Sequence, residues 1–462
     1  MKKPTLLSTP HSAIRLAAAA ATIALIGTAL AACSSGGSGS ASTSKVTITI
    51  GDRPPSSQKA AQKLYDSEVT AFEKKYPDIT LKPTETIWNT TTFQALVAGG
   101  NLPDVLQVPF TEPQKLIANG QIADITEALK KTGLDAKLNP ATLKIGQDAK
   151  GNTYGIPTSA YAVGLVYNRS LFTKAGLDPN KPPTTWDEVR ADAKIIKDKT
   201  GTPGFGQLAS QNFGGWMFTG ATYSYGGSLE NAKGTKATFD AEPAKQALAN
   251  LQAMRWTDDS VDHNALYNYD TINKAFASGS FAMFVAPPSW YSMAVTTDGM
   301  SPSDYGAGPM PQANGTNATL TGGNVQIVNP KATEPEKEAA VKWINFYYLT
   351  QYTDQSAAVA AAKAGAASNN PVGLPDITVV GKDEYNQYEK WIKPYVNVPL
   401  SNFAPFATAS AKLKDLAEPT NQAQQVYASL DTVIQTVLTN KNANIDKLLS
   451  TASANVDSLL SR

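Results

Sequence analysis

KVTITIG, Lys45 to Gly51, alternates β-branched residues with small or polar ones and is followed by a helical spacing of apolar residues: Ala60, Leu64, Val69, Phe72 and Tyr76. Alternation of period two predicts a strand, and the later spacing predicts a helix over 56–76 that stops at Pro77. DITLKP (Asp78–Pro83) reads as a second strand, Thr90–Ala98 as a short helix closed by Gly99-Gly100, and DVLQV (Asp104–Val108) as a third strand. Strand–helix–strand–helix–strand indicates a parallel α/β sheet. Such sheets bind ligands in the loops after their strands. Those loops are Gly51–Pro55, Glu85–Asn89 and Pro109–Glu112.

A second α/β pattern runs from about Leu165 to Val285. It holds helices over Trp186–Lys199, capped by Thr184 or Thr185, and Ala241–Arg255, with short strands at Phe205–Leu208 and Phe281–Val285. Val325–Asn329 follows as a strand and Pro335–Tyr352 as a helix. From Asp383 to Arg462 the chain reads as helices separated by Pro394, Pro399, Pro405 and Pro419.

At 462 residues, with 42% hydrophobic and 17% charged residues, the chain can bury two or three domains' worth of core. The net charge is +1, from 40 basic and 39 acidic residues. Lys2, Lys3 and Arg15 belong to an expected leader, which leaves 37 basic against 39 acidic and no field to draw nucleic acid. One Cys and two His exclude a Cys/His metal centre. No G-x-G-x-x-G or G-x-x-x-x-G-K-[ST] loop is present, which argues against a nucleotide enzyme. No cofactor is expected.

Residues 1–32 read as an export signal: Lys2 and Lys3, then an uncharged run from Leu16 to Ala32 that is short for a membrane span. Leu30-Ala31-Ala32-Cys33 resembles a bacterial lipobox, with Cys33 as the lipidation site. SSGGSGSASTS (Ser34–Ser44) would then be a flexible tether. The localisation expected is the extracellular face of the cell membrane, lipid-anchored. A lone Cys leaves no disulfide, so the exported body must rest on its core.

Four segments in order resemble one family, the extracellular solute-binding proteins of ABC importers, of the maltose-binding type that serves carbohydrates. They are FEKKYPDI (Phe72–Ile79) with Trp88 and GGNLPDV (Gly99–Val105); GNTYGIP (Gly151–Pro157) with Val166–Asn168, LFTKAGL (Leu171–Leu177) and TWDE (Thr185–Glu188); AFASGSFAM (Ala275–Met283) with Trp290; and GPMP (Gly308–Pro311) with Gly322-Gly323 and KEAA (Lys337–Ala340). The family usually has Gly-Lys-Ala-Ala-Met in the third segment, where this chain has Gly279-Ser-Phe-Ala-Met283. The resemblance implies an α/β, two-lobed, periplasmic-binding-protein-like fold of type II whose lobes close on a ligand by hinge motion. It implies lobe 1 from 45–157 and 310–368, lobe 2 from 158–309 and 369–462, and crossovers near Ile156–Ala160, Pro309–Ala313 and Ser368–Leu374.

Sugars present apolar C–H faces and a rim of hydroxyls, so their sites combine aromatic platforms with amide and carboxylate groups. Trp88 with Asn89, Trp216 in Gly214-Gly215-Trp216 after Asn212, and Trp290 after Pro287-Pro288 are the aromatic candidates. Asp52, Arg53, Glu112, Tyr161, Gly322, Gly323 and Asn324 supply polar groups and backbone from neighbouring loops. Phe403, beside Asn402, is a further candidate from the tail. Trp186, Trp256 and Trp343 read as core, His263 as surface, and Tyr347-Tyr348 as helix packing rather than a metal pair.

The function expected is therefore a membrane-tethered binding protein. It captures a sugar, with an oligosaccharide favoured, and hands it as a monomer to ABC transporter permease subunits. One alternative is a phosphorylated or other non-sugar solute, whose phosphate would call for arginine. A tethered glycoside hydrolase is an alternative of another class.

Overall fold

The computed structural model describes residues 45–461 apart from 90, 91, 314, 411 and 420. The leader, the tether and Cys33 lie outside the described residues. Strands β1 (Val46–Ile50), β2 (Ile79–Pro83) and β3 (Val105–Pro109) form as the alternation predicts, and β1 pairs in parallel with both neighbours. Ile48 and Ile50 of β1 face inward, as do Ile79 and Leu81 of β2. The helix Lys59–Lys75 covers them with Tyr65, Val69 and Phe72, spaced so that all three lie on one face. The helix Phe93–Gly99 ends where Gly100 adopts a left-handed φ of 69°.

β4 (Gly155–Ala162) leads into β5 (Gly164–Asn168), which pairs antiparallel with β6 (Met283–Ala286) and β7 (Tyr305–Gly308) in a separate three-stranded sheet. All five residues of β5 are buried. β8 (Ala318–Val328) runs antiparallel to both β3 and β4, and β9 (Lys414–Ala417) adds in parallel to its start. The larger sheet therefore follows the order β2-β1-β3-β8-β4, with β9 on β8.

Two cores follow from this layout. The first gathers Phe72, Leu106, Ile156, Val325 and Trp343; the second gathers Val166, Phe205, Phe276, Phe284 and Leu430. β4 and β8 belong to both. Ile156 and Ala160 of β4 pack in the first core and Ala162 in the second, while Leu320 of β8 packs in the second and Val325 in the first. The first passage between the cores therefore falls between Ala160 and Ala162 of β4. Met310 and Leu320 are buried in the second core and Val325 in the first, so the second passage falls within β8. The tail enters both cores, because Val379 and Val380 pack in the first core and Val380 bridges Leu138. Val398 rejoins the second core.

Thr185, not Thr184, caps the helix Trp186–Thr200: its hydroxyl accepts from the Glu188 N–H at 3.2 Å, and Glu188 accepts in return from the Thr185 N–H. The expected helix from Pro335 to Tyr352 is regular only over Glu334–Ile344, after which Asn345–Leu349 widens into a π turn. There Tyr347 stacks on Trp343 at 5.0 Å, and both Tyr347 and Tyr348 pack on the first core, as the helix-packing reading expects. Pro405 does not separate helices but sits inside one, Leu400–Ser410. Phe205–Leu208 makes isolated bridges instead of a strand.

Candidate ligand-binding cleft

A cavity of about 420 Å³ opens where the crossing strands meet the second core. Its floor is Gly323 and Asn324 of β8 with Tyr161 of β4, and its aromatic wall is Phe213, Trp216, Tyr269 and Trp290. Trp216 and Trp290 lie nearly parallel, 5.9 Å apart with 13° between planes. Tyr269 meets Trp290 edge-on at 4.6 Å, and Tyr161 meets Trp216 edge-on at 6.2 Å. Amides complete the rim: Gln211, Asn212 and Gln424, with the Asn212 amide donating to Gln424 at 3.1 Å.

The local sequence explains this placement. Gln211 and Asn212 take left-handed φ values of 56° and 73°, a turn that starts the helix Phe213–Ser224. Asp431, on the helix Ala423–Thr439, accepts from the N–H groups of Asn212 at 2.7 Å and Gly215 at 3.0 Å and so clamps that helix start. A side chain at Gly215 would overlap the backbone of Tyr427. Gly214-Gly215 thus admits a neighbouring helix. Trp216 is then turned into the cavity from the first helical turn, 7% exposed.

Sequence reasoning missed the acidic member of this wall. Glu418 follows β9, lines the cavity and is 7% exposed. Burial pushes its carboxyl up to about 8, against the opposing pull of the Trp216 indole and the Tyr427 hydroxyl. Gly322 makes room for it, since a Cβ there would lie 3.0 Å from the Glu418 Oε2. Tyr427 and Tyr269 were also missed. The turn signal Glu418-Pro419 was the one local hint.

A second, smaller recess of about 210 Å³ joins Trp88, Glu112 and Lys115 to Gln422 and Gln425 at the start of the helix Ala423–Thr439. Burial raises the Glu112 carboxyl above its ordinary range, with Lys115 opposing. The structure therefore brings Tyr161, Asn212, Trp216, Trp290, Gly323 and Asn324 into one cavity, with Gly322 beneath Tyr161. It sets Trp88 and Glu112 in the other.

The remaining candidates lie elsewhere. Asn89 accepts from the Thr92 N–H at 3.3 Å, ahead of the helix Phe93–Gly99. Asp52, left-handed at φ 62°, accepts from the Gln107 N–H at 2.8 Å; burial pushes its carboxyl up to about 6. Arg53 is held by both oxygens of Asp66 at 2.7 Å and by Glu85 at 3.7 Å, so its guanidinium is already engaged. Neither residue lines the two recesses. Phe403 is corrected outright: it is fully buried in the second core, stacked on Tyr305 at 5.9 Å, while Asn402 donates to the Tyr305 carbonyl at 2.9 Å.

The bacterial extracellular solute-binding protein model matches residues 55–354. The chain belongs to that family. This solute-binding protein is 28% identical over 294 residues to a binding protein of Brucella abortus, covering 60% of this chain and 66% of that one. It is 26% identical over 306 residues to the sn-glycerol-3-phosphate-binding periplasmic protein of Escherichia coli, covering 61% and 66%. The match thus spans just under two thirds of the length of those relatives. Among solved structures, the cyclic α-maltosyl-1,6-maltose binding protein of Arthrobacter globiformis superposes with a TM-score of 0.68 at 19% identity, over 90% of this chain and 99% of that one. Its fold is that of the two-lobed periplasmic binding proteins. Among the described residues, no group of three His, Cys, Asp or Glu could hold a metal, and no helix is long and apolar enough to cross a membrane.

Proposed function

We propose that this solute-binding protein is tethered outside the cell membrane through Cys33, captures a sugar, preferably an oligosaccharide, and delivers it to an ABC transporter permease. The observation that carries the sugar reading is the composition of the larger cavity. Two nearly parallel tryptophans, edge-on tyrosines and a rim of amides suit C–H faces and hydroxyls, and among the described residues its lining has no Lys or Arg. The name of the E. coli relative favours a second reading, a glycerol phosphate. A phosphate reader would need a cation, and Arg53 is spent on Asp66 and Glu85. Glycoside hydrolysis needs two carboxylates about 5–9.5 Å apart, and Glu418 is the one carboxylate lining this cavity.

Thermal unfolding of the purified protein with neutral oligosaccharides and with sn-glycerol 3-phosphate tests the reading. Ligand at a hundred times its Kd stabilises by about 2.7 kcal/mol, which raises Tm by a few degrees. A shift with an oligosaccharide that is recovered intact is expected. A shift with the phosphate alone, or cleavage of the sugar, overturns the reading. The intact mass of membrane-extracted protein tests the tether: acyl groups on an N-terminal Cys33 are expected, and an unmodified Cys33 overturns it.

A further inference from the structure

Glu418 is a carboxyl group placed where the protein offers it no counter-ion. Its titratable neighbours are the hydroxyls of Tyr161 on β4, Tyr223 on the helix Phe213–Ser224 and Tyr427 on the helix Ala423–Thr439. Burial raises all three above the ordinary tyrosine range, so they stay uncharged at neutral pH. The other group beside it is the Trp216 indole. Among the described residues, no Lys, Arg or His lines the cavity. A buried carboxyl without a cation either holds its proton or waits for a positive charge from outside.

The cavity walls are suited to that charge. Faces and edges of Tyr161, Phe213, Trp216, Tyr269 and Trp290 surround the space into which Glu418 opens. Aromatic faces attract ammonium groups through their quadrupole, by about 0.5–2 kcal/mol per contact as the site dries. A ring of aromatics with one acidic group suits a cation, whereas a wholly neutral polyol would use the same carboxyl only as a hydrogen-bond partner for its hydroxyls.

We propose that the larger cavity selects a sugar carrying a protonated amine, with its ammonium group set against the Glu418 carboxylate inside the aromatic wall. The inference rests on the sugar reading above and adds the charge of the ligand. Binding then has a proton balance: the Glu418 carboxyl, protonated in the empty site, gives its proton to solvent as the ammonium arrives. A neutral sugar would leave that proton in place.

The test is calorimetry at pH 5.5, where the sugar amine arrives already protonated, in two buffers of different ionisation enthalpy, of the purified protein with glucosamine oligomers and with N-acetylglucosamine oligomers of equal length. The amine form should bind about tenfold tighter or more and release close to one proton per site. Glu418→Gln keeps the shape of the site, and should bring the two affinities within about twofold and abolish the proton release. Equal or tighter binding of the acetylated form, or amine binding without proton release in the unaltered protein, overturns the inference. Binding of a neutral maltooligosaccharide with no gain from an amine does so too, and leaves the sugar reading standing. Failure of all three sugars overturns both.

Discussion

Trp290 sits on a 3₁₀ turn, Pro288–Trp290, that presents its ring to Trp216 on one side and Tyr269 on the other. If that ring is a sugar platform, Trp290→Ala should weaken binding by about 1–3 kcal/mol. Circular dichroism of the unliganded variant should stay native, because Trp290 is only partly buried. Titration calorimetry reads the loss, and unchanged affinity would remove Trp290 from the site. At this scale the sequence was informative wherever an aromatic stood among turn residues, as Trp216 and Trp290 do. Proline-rich surroundings misled at Phe403, because the helix Leu400–Ser410 carries its proline internally and turns Phe403 into the core. Glu418 was illegible for another reason: its burial arises in part beside Gly322 and Tyr161, which are distant in sequence.

Among elements, the parallel strands β1 to β3 were readable because each alternates within a few residues and is bounded by turns. β8 was readable only over its last part. Its middle, Gly322-Gly323, looks like a break, yet a Cβ at either position would collide with the strand's own neighbours, Tyr161 or Ser159. Those glycines let β4 and β8 lie close where β8 passes from one core to the other. The helix pair at the cavity behaves alike. Gly215→Ala would force the helices Phe213–Ser224 and Ala423–Thr439 apart, costing about 1–3 kcal/mol and tilting Trp216. Urea denaturation should show a lower midpoint, with weakened binding; a variant equal to the parent in both would contradict the close approach described.

For the molecule as a whole, several buried carboxyls set the pH response. Burial raises Asp52 and Asp192 to about 6, Asp376 to about 7 and Glu418 to about 8. Each binds its proton more tightly folded than unfolded, so the folded state holds more protons between roughly pH 4 and pH 8. Stability should therefore fall as pH rises through that window and level off above it. The carboxylates held low by partners, such as Asp66 by Arg53 and Asp259 by His263, act in the opposite sense only as pH falls through their own depressed values. Tm is expected to be higher at pH 5.5 than at pH 8.5, with a smaller difference in Glu418→Gln. A Tm that rises with pH across this range would contradict the burial of these groups.

The final helix, Ile445–Leu460, buries Leu449, Val456 and Leu460 in the same core as Val166 and Phe284. A ribosome must therefore have made the chain as far as Leu460 before the second core can close over its own interior. The first core waits on Val379 and Val380. Neither core is whole in a nascent chain that stops short of Val379, since each takes residues from beyond that point.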